Sequence, residues 1–162
     1  MPLNPKDDQL KTGDIAPDFS LIAHDGSKVK LSGLRGTVVV LYFYPKDFTP
    51  GCTTEACDFG ENHGSLEAAG AVILGISPDD EKSHNRFIDK YKLPFTLLSD
   101  PEHNVLKTYG AWGVKKRFGK ESEGVIRSTF IIDRDGKLVK SWRSVKVAGH
   151  VERVLTEVEK LK

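Results

Sequence analysis

Residues 37–44 read Thr-Val-Val-Val-Leu-Tyr-Phe-Tyr, a β-branched and aromatic run with no polar interruption. A strand that alternated would be half buried; one that stays apolar throughout must be covered on both faces, so this segment is expected at the centre of a sheet. Strands are also predicted over residues 71–77 and 96–98. Residues 19–23 and 28–31 flank Asp25-Gly26, and residues 127–132 and 138–143 bracket Asp135-Gly136, two hairpin patterns. Helices are predicted over about 50–68 and 80–91, with a short one around 103–109. In the last helix Val151, Val154, Leu155 and Val158 recur at the i, i+3, i+4, i+7 spacing of one buried face. Strands and helices alternate without internal repeats or long linkers, the pattern of an α/β chain.

The 162 residues suit a single domain, residues 1–162, with residues 1–12 as an N-terminal extension. At 38% hydrophobic residues the chain can build a sizeable core. Its 24 basic and 23 acidic residues leave a net charge of +1, so no global field exists to hold nucleic acid or an anionic membrane. The start of the chain lacks the apolar core of a signal peptide, and no run approaches the roughly 18 apolar residues of a membrane span. A cytoplasmic protein acting on small or protein substrates is expected.

Only two cysteines occur, Cys52 and Cys57, directly behind the central strand in Thr49-Pro50-Gly51-Cys52-Thr53-Thr54-Glu55-Ala56-Cys57. In a reducing compartment such a close pair is either redox-active or merely packed. Thr49 suits the N-cap of the helix, Pro50 its first position, and Cys52 then falls in the first turn. Free N–H groups and the positive helix end favour a thiolate there, below the ordinary value near about 8.5. Ionisation has a limited yield: a thiol at that value is about 3% thiolate at neutral pH, so full ionisation gains only about 30-fold. Fast chemistry at Cys52 therefore also needs groups that stabilise a transition state. On an ideal helix residues five apart lie roughly 8 to 9 Å from each other at Cα. A disulfide reaches only about 7 Å, so one between Cys52 and Cys57 would require the first turns to unwind. Two thiols on different helix faces, with no Cys-x-x-Cys, do not make a tetrahedral zinc set.

The stretch Tyr44-Pro45-Lys46-Asp47-Phe48-Thr49-Pro50-Gly51-Cys52-Thr53-Thr54-Glu55-Ala56-Cys57 resembles the active-site signature of peroxiredoxins, specifically the peroxiredoxin Q or bacterioferritin-comigratory-protein subfamily. Gly75-Ile76-Ser77-Pro78-Asp79, Phe95-Thr96-Leu97-Leu98-Ser99-Asp100, Tyr109-Gly110-Ala111-Trp112-Gly113 and Arg127-Ser128-Thr129-Phe130-Ile131-Ile132-Asp133 extend the resemblance from about Ala16 to the C-terminus. It implies a thioredoxin-like fold with a central mixed sheet flanked by helices and an N-terminal β-hairpin. It further implies reduction of hydrogen peroxide or organic hydroperoxides at a peroxidatic Cys52, resolved by Cys57 as an intramolecular disulfide. By motif position Thr49 and Arg127 bind the peroxide oxygens, Pro45 shields the thiolate from water, and Glu55 orients Arg127. Thioredoxin or a similar dithiol would recycle the pair. No metal, haem, flavin or nucleotide is implied, and a monomer or weak dimer is.

Two other functions fit a cysteine pair: a thiol–disulfide oxidoreductase without peroxidase chemistry, and a redox-sensing binding module. Against the first stands the missing Cys-x-x-Cys; against the second, the lack of any appended binding domain. Residues 113–120, Gly-Val-Lys-Lys-Arg-Phe-Gly-Lys, have the wrong spacing for a phosphate-binding loop and read as a solvated basic loop. Asp133-Arg134-Asp135-Gly136 reads as a turn, not a calcium loop. His24, His63, His84, His103 and His150 form no motif and read as surface or packing residues, and Trp112 and Trp142 as core or edge aromatics.

Overall fold

The structure is a computed structural model that describes residues 10–162. The first nine residues, most of the expected N-terminal extension, lie outside the described residues. A seven-stranded mixed sheet forms the centre, in the order β2-β1-β5-β4-β3-β8-β9. Its strands are β1 (Ser20–Ala23), β2 (Lys28–Lys30), β3 (Val38–Phe43), β4 (Ala71–Ser77), β5 (Thr96–Ser99), β8 (Ser128–Ile132) and β9 (Leu138–Arg143). Strands β3, β4 and β5 run parallel, while β1 and β8 join antiparallel on either side. Both expected hairpins form, with Gly26 and Gly136 at positive φ in their turns.

All six residues of β3 are buried, as its uninterrupted apolar run predicts. Val38, Val40 and Tyr42 join the core under α1 (Pro50–Glu61), α2 (His63–Ala68), α3 (Glu81–Tyr91) and α5 (His150–Glu159). Val39, Leu41 and Phe43 point the other way, into a second core with Leu106 of α4 (Asn104–Thr108) and Tyr109. The Tyr42 ring stacks on Phe59 of α1 at 4.6 Å between centroids and lies over Gly75, where an added Cβ would come within 2.8 Å of it. Only glycine leaves that room. The stack sets the distance of α1 from the sheet.

Two expectations are corrected. The helix expected over 50–68 breaks at Asn62, whose backbone leaves helical geometry while its side-chain amide donates to the Asp58 carbonyl at 2.9 Å. Asn competes locally with the helix in this way. The expected basic loop at 113–120 is instead an antiparallel ribbon, β6 (Trp112–Arg117) with β7 (Lys120–Val125), separate from the main sheet. Its strands are mostly polar and lack a buried face, so they carry no alternating apolar pattern; cross-strand pairs such as Lys116 with Glu121 at 3.5 Å join them. Among the described residues no helix is long and apolar enough to cross a membrane.

Candidate active site

The parallel strands β3 and β4 end together, and the chain leaves β3 through a loop over residues 44–49 before entering α1. Thr49 occupies the N-cap position and Pro50 follows it, as the sequence predicts. The Thr49 hydroxyl makes no cap, however: it donates to the Lys46 carbonyl at 2.8 Å, turning its hydrogen back into the loop. Its oxygen lone pairs remain to accept from a ligand.

Cys52, one turn into α1, is 1% exposed and free. The Nη2 of Arg127, a residue that immediately precedes β8, approaches its sulfur at 3.3 Å. Nη1 of the same guanidinium pairs with Oε1 of Glu55 at 2.7 Å. Glu55 lies one helical turn after Cys52 and is fully buried. The fork of Arg127 thus bridges sulfur and carboxylate, each taken by a different nitrogen. Burial works against the charge on Arg127, but Glu55 and Cys52 outweigh it and hold the guanidinium above its ordinary value. Burial pushes the Glu55 carboxyl up to about 7, with Arg127 pulling the other way. The second oxygen of Glu55 has no partner among the described residues.

The structure therefore brings Cys52, Arg127 and Glu55 into direct contact. Thr49 stands at the start of the same helix, and Pro45 lies half-buried in the loop before it. Cys57 lies in the same unbroken helix, free and half-buried, facing a cleft of about 300 Å³ lined by Gly60, Glu61, Tyr91, Lys92 and Leu93. Burial, then Glu61 and Asp58, push its thiol up.

Sequence reasoning missed two residues beside this site. Asp47 and His84, read as part of the signature and as an unremarkable histidine, are both buried and meet at 2.8 Å, with Tyr44 donating to Asp47. Their separation of 37 residues hides the pairing, because only the return of α3 toward the end of β3 brings them together. His150 is a packing residue as expected, buried with its Nε2 at 2.8 Å from the Thr129 hydroxyl.

Comparison with known proteins places this geometry. The AhpC/TSA family pattern matches residues 12–141. "Peroxiredoxin Bcp" of Bacillus subtilis is 51% identical over 146 residues, 90% of this chain and 93% of its own length. "Peroxiredoxin Bcp" of Escherichia coli is 46% identical over 146 residues, covering 90% and 94%. A solved structure of Xanthomonas campestris peroxiredoxin Q superposes with a TM-score of 0.86 at 39% identity, over 94% of this chain and 98% of that one. The chain therefore belongs to the AhpC/TSA family and, within it, to the peroxiredoxins of the Q or bacterioferritin-comigratory type, which are thiol-dependent peroxidases.

Proposed function

We propose that Cys52 is the peroxidatic nucleophile of an atypical two-cysteine peroxidase and that Cys57 resolves it within the same chain. The observation that carries the reading is the Arg127 guanidinium at 3.3 Å from the Cys52 sulfur, held there by Glu55. The thiolate attacks the nearer oxygen of a hydroperoxide, forming the S–O bond as the O–O bond breaks. The departing oxygen gains negative charge and leaves with a proton as water or an alcohol. Arg127, already charged and oriented, stabilises that developing charge without reorganising, while the Thr49 oxygen accepts from the peroxide hydroxyl. Pro45 keeps water from the thiolate. Two features support Cys52 as the attacking sulfur: it alone touches the guanidinium, and the Cys57 thiol is pushed up by burial and by Glu61 and Asp58.

The sulfenic acid on Cys52 condenses with the Cys57 thiol, releasing water and forming a disulfide before a sulfinic acid can form. Both cysteines sit in one continuous helix, so this step requires α1 to unwind near its start. Thioredoxin or a similar dithiol then returns the pair to two thiols. No cofactor takes part, and the protein acts in the cytoplasm as a monomer or weak dimer.

Intact-mass measurement before and after one equivalent of peroxide tests the reading. Loss of two hydrogens without added oxygen is expected for the parent, and a sulfenic acid for Cys57→Ser. Cys52→Ser should consume no peroxide with a dithiol reductant. Turnover by that variant would reverse or abolish the assignment of roles, and a parent that exchanges disulfides without consuming peroxide would favour an oxidoreductase.

A further inference from the structure

The loop that carries Pro45 and Thr49 contains an unusual residue. Phe48 has φ 67°, in the left-handed region, where a bulky side chain is an outlier held only by its surroundings. Its ring rests on Phe87 and Tyr91 of α3, at 5.1 and 6.4 Å between centroids, and remains partly exposed. With 41% of the residue exposed, the ring is only partly held by these contacts, and its chain neighbours supply further restraint.

On the N-terminal side stands Asp47, buried, with its backbone N–H and both carboxylate oxygens bonded. Its backbone N–H donates to Asp79 Oδ2 at 2.8 Å. One carboxylate oxygen accepts from the Tyr44 hydroxyl at 2.6 Å, and the other from Ser83 Oγ and His84 Nδ1, each at 2.8 Å. Burial holds the Tyr44 phenol well above its ordinary value, so its proton stays available to donate. The far nitrogen of His84, Nε2, lies 3.1 Å from the Leu98 carbonyl. Nδ1 also lies 3.4 Å from the Tyr44 hydroxyl, so the His84 ring bridges Asp47 and Tyr44 on one side and the β5 backbone on the other. Neither side chain has any exposure. Asp47, Asp79 and His84 could suggest a cation site, since their ligand atoms lie within 4.8 Å of one another, but protein donors already occupy the Asp47 and Asp79 oxygens that face inward.

The peptide unit between Lys46 and Asp47 links this cluster to the chemistry. It is planar, so fixing its N–H fixes its carbonyl. The N–H is held by Asp79, and the Lys46 carbonyl is the group that takes the Thr49 hydroxyl hydrogen. The direction of the Thr49 lone pairs is therefore set from Asp47 and from Asp79, in the turn between β4 and α3, across the strained Phe48. We propose that Asp47 and His84 form a buried hydrogen-bonded clamp that holds this loop in its strained shape, making them positioning residues for peroxide reduction. The proposal rests on the peroxidase reading above. Removing either partner leaves buried polar atoms of the other without a partner, releases the loop and lets Phe48 relax to negative φ, which turns Thr49. The clamp ties the loop to α3 and the sheet rather than to α1, so the helix bearing both cysteines can unwind while the loop keeps its shape.

The test compares two rates at Cys52 in a Cys57→Ser background, with hydrogen peroxide and with iodoacetamide, an alkylating agent that does not depend on a placed hydroxyl. Asp47→Asn and His84→Asn should each lower the ratio of the peroxide rate to the alkylation rate tenfold or more. A smaller change in the ratio overturns the proposal, whether both rates hold or both move together, since joint movement marks a brace with no specific effect on peroxide. If the variants do not fold, the unmodified protein decides: the Asp47 amide hydrogen, held by Asp79, should exchange as slowly as those of β3, and exchange as fast as in the exposed loops overturns the clamp. A parent that alkylates normally yet does not react with peroxide would defeat the peroxidase reading itself, and this proposal with it.

Discussion

Arg127→Lys separates charge from geometry. Arginine meets Glu55 Oε1 at 2.7 Å with one nitrogen and Cys52 Sγ at 3.3 Å with another, a bridge that a single ammonium on a flexible stem cannot reproduce. If lysine settles on Glu55, the departing oxygen of the peroxide loses one hydrogen bond to a charged donor, worth about 1.5 to 3 kcal/mol. That corresponds to a fall of about 10- to 150-fold in the second-order rate of Cys52 oxidation. Folding should survive, because burial has already raised Glu55 to about 7 and a weaker partner raises it further, so the carboxyl takes up a proton rather than remaining an unpaired buried charge. Stopped-flow oxidation of the reduced protein by hydrogen peroxide gives the rate, and thermal unfolding the control. A folded variant reacting within twofold of the parent would refute the argument that the bridging guanidinium sets reactivity.

Oxidation to the disulfide should lower far-ultraviolet ellipticity and speed amide exchange across residues 49–59 while β3 stays protected, since both cysteines now lie in α1; an oxidised structure with α1 intact would force resolution by another subunit or an external thiol. Glu55 titrates from about 7 in the folded protein against 4.5 as its ordinary value, so the unfolded chain releases that proton first and its contribution makes stability fall as pH rises through this window. Glu55→Gln should remove that fall, seen as a larger parent-minus-variant difference in urea midpoint near pH 5 than near pH 8; an unchanged pH dependence would place Glu55's titration elsewhere. Gly75→Ala places a Cβ 2.7 Å from Leu97 and 2.8 Å from the Tyr42 ring and should cost about 1 to 3 kcal/mol in urea unfolding, with a knock-on loss of Cys52 reactivity through the Phe59 stack. Unchanged stability would mean that the ring has room to move.

Local patterns carried most of the fold. The unbroken apolar run of β3, the two Asp-Gly turns and the spacing of Val151, Val154 and Val158 each state a burial requirement that depends only on near neighbours in the chain. The ribbon β6–β7 escaped because a polar two-stranded element buries no face, leaving periodicity nothing to report. The break at Asn62 escaped for a smaller reason: one side-chain bond to Asp58 decides it.

In the site, the sequence by itself determined that Cys52 would start a helix behind a central strand and that Cys57 would share that helix, because both follow from order along the chain. The motif resemblance also singled out Arg127 and Glu55. Only the tertiary structure decided that one guanidinium touches both the Cys52 sulfur and the Glu55 carboxylate, 75 and 72 residues away in sequence. It likewise decided that the Thr49 hydroxyl turns back to Lys46 instead of capping α1, and that His84 meets Asp47 beneath the loop. Secondary structure is written in short-range patterns of burial and backbone preference. Contacts that orient a charge or a hydroxyl depend on where separate elements stop, and that is settled only when β3, α1, α3 and β8 pack against one another.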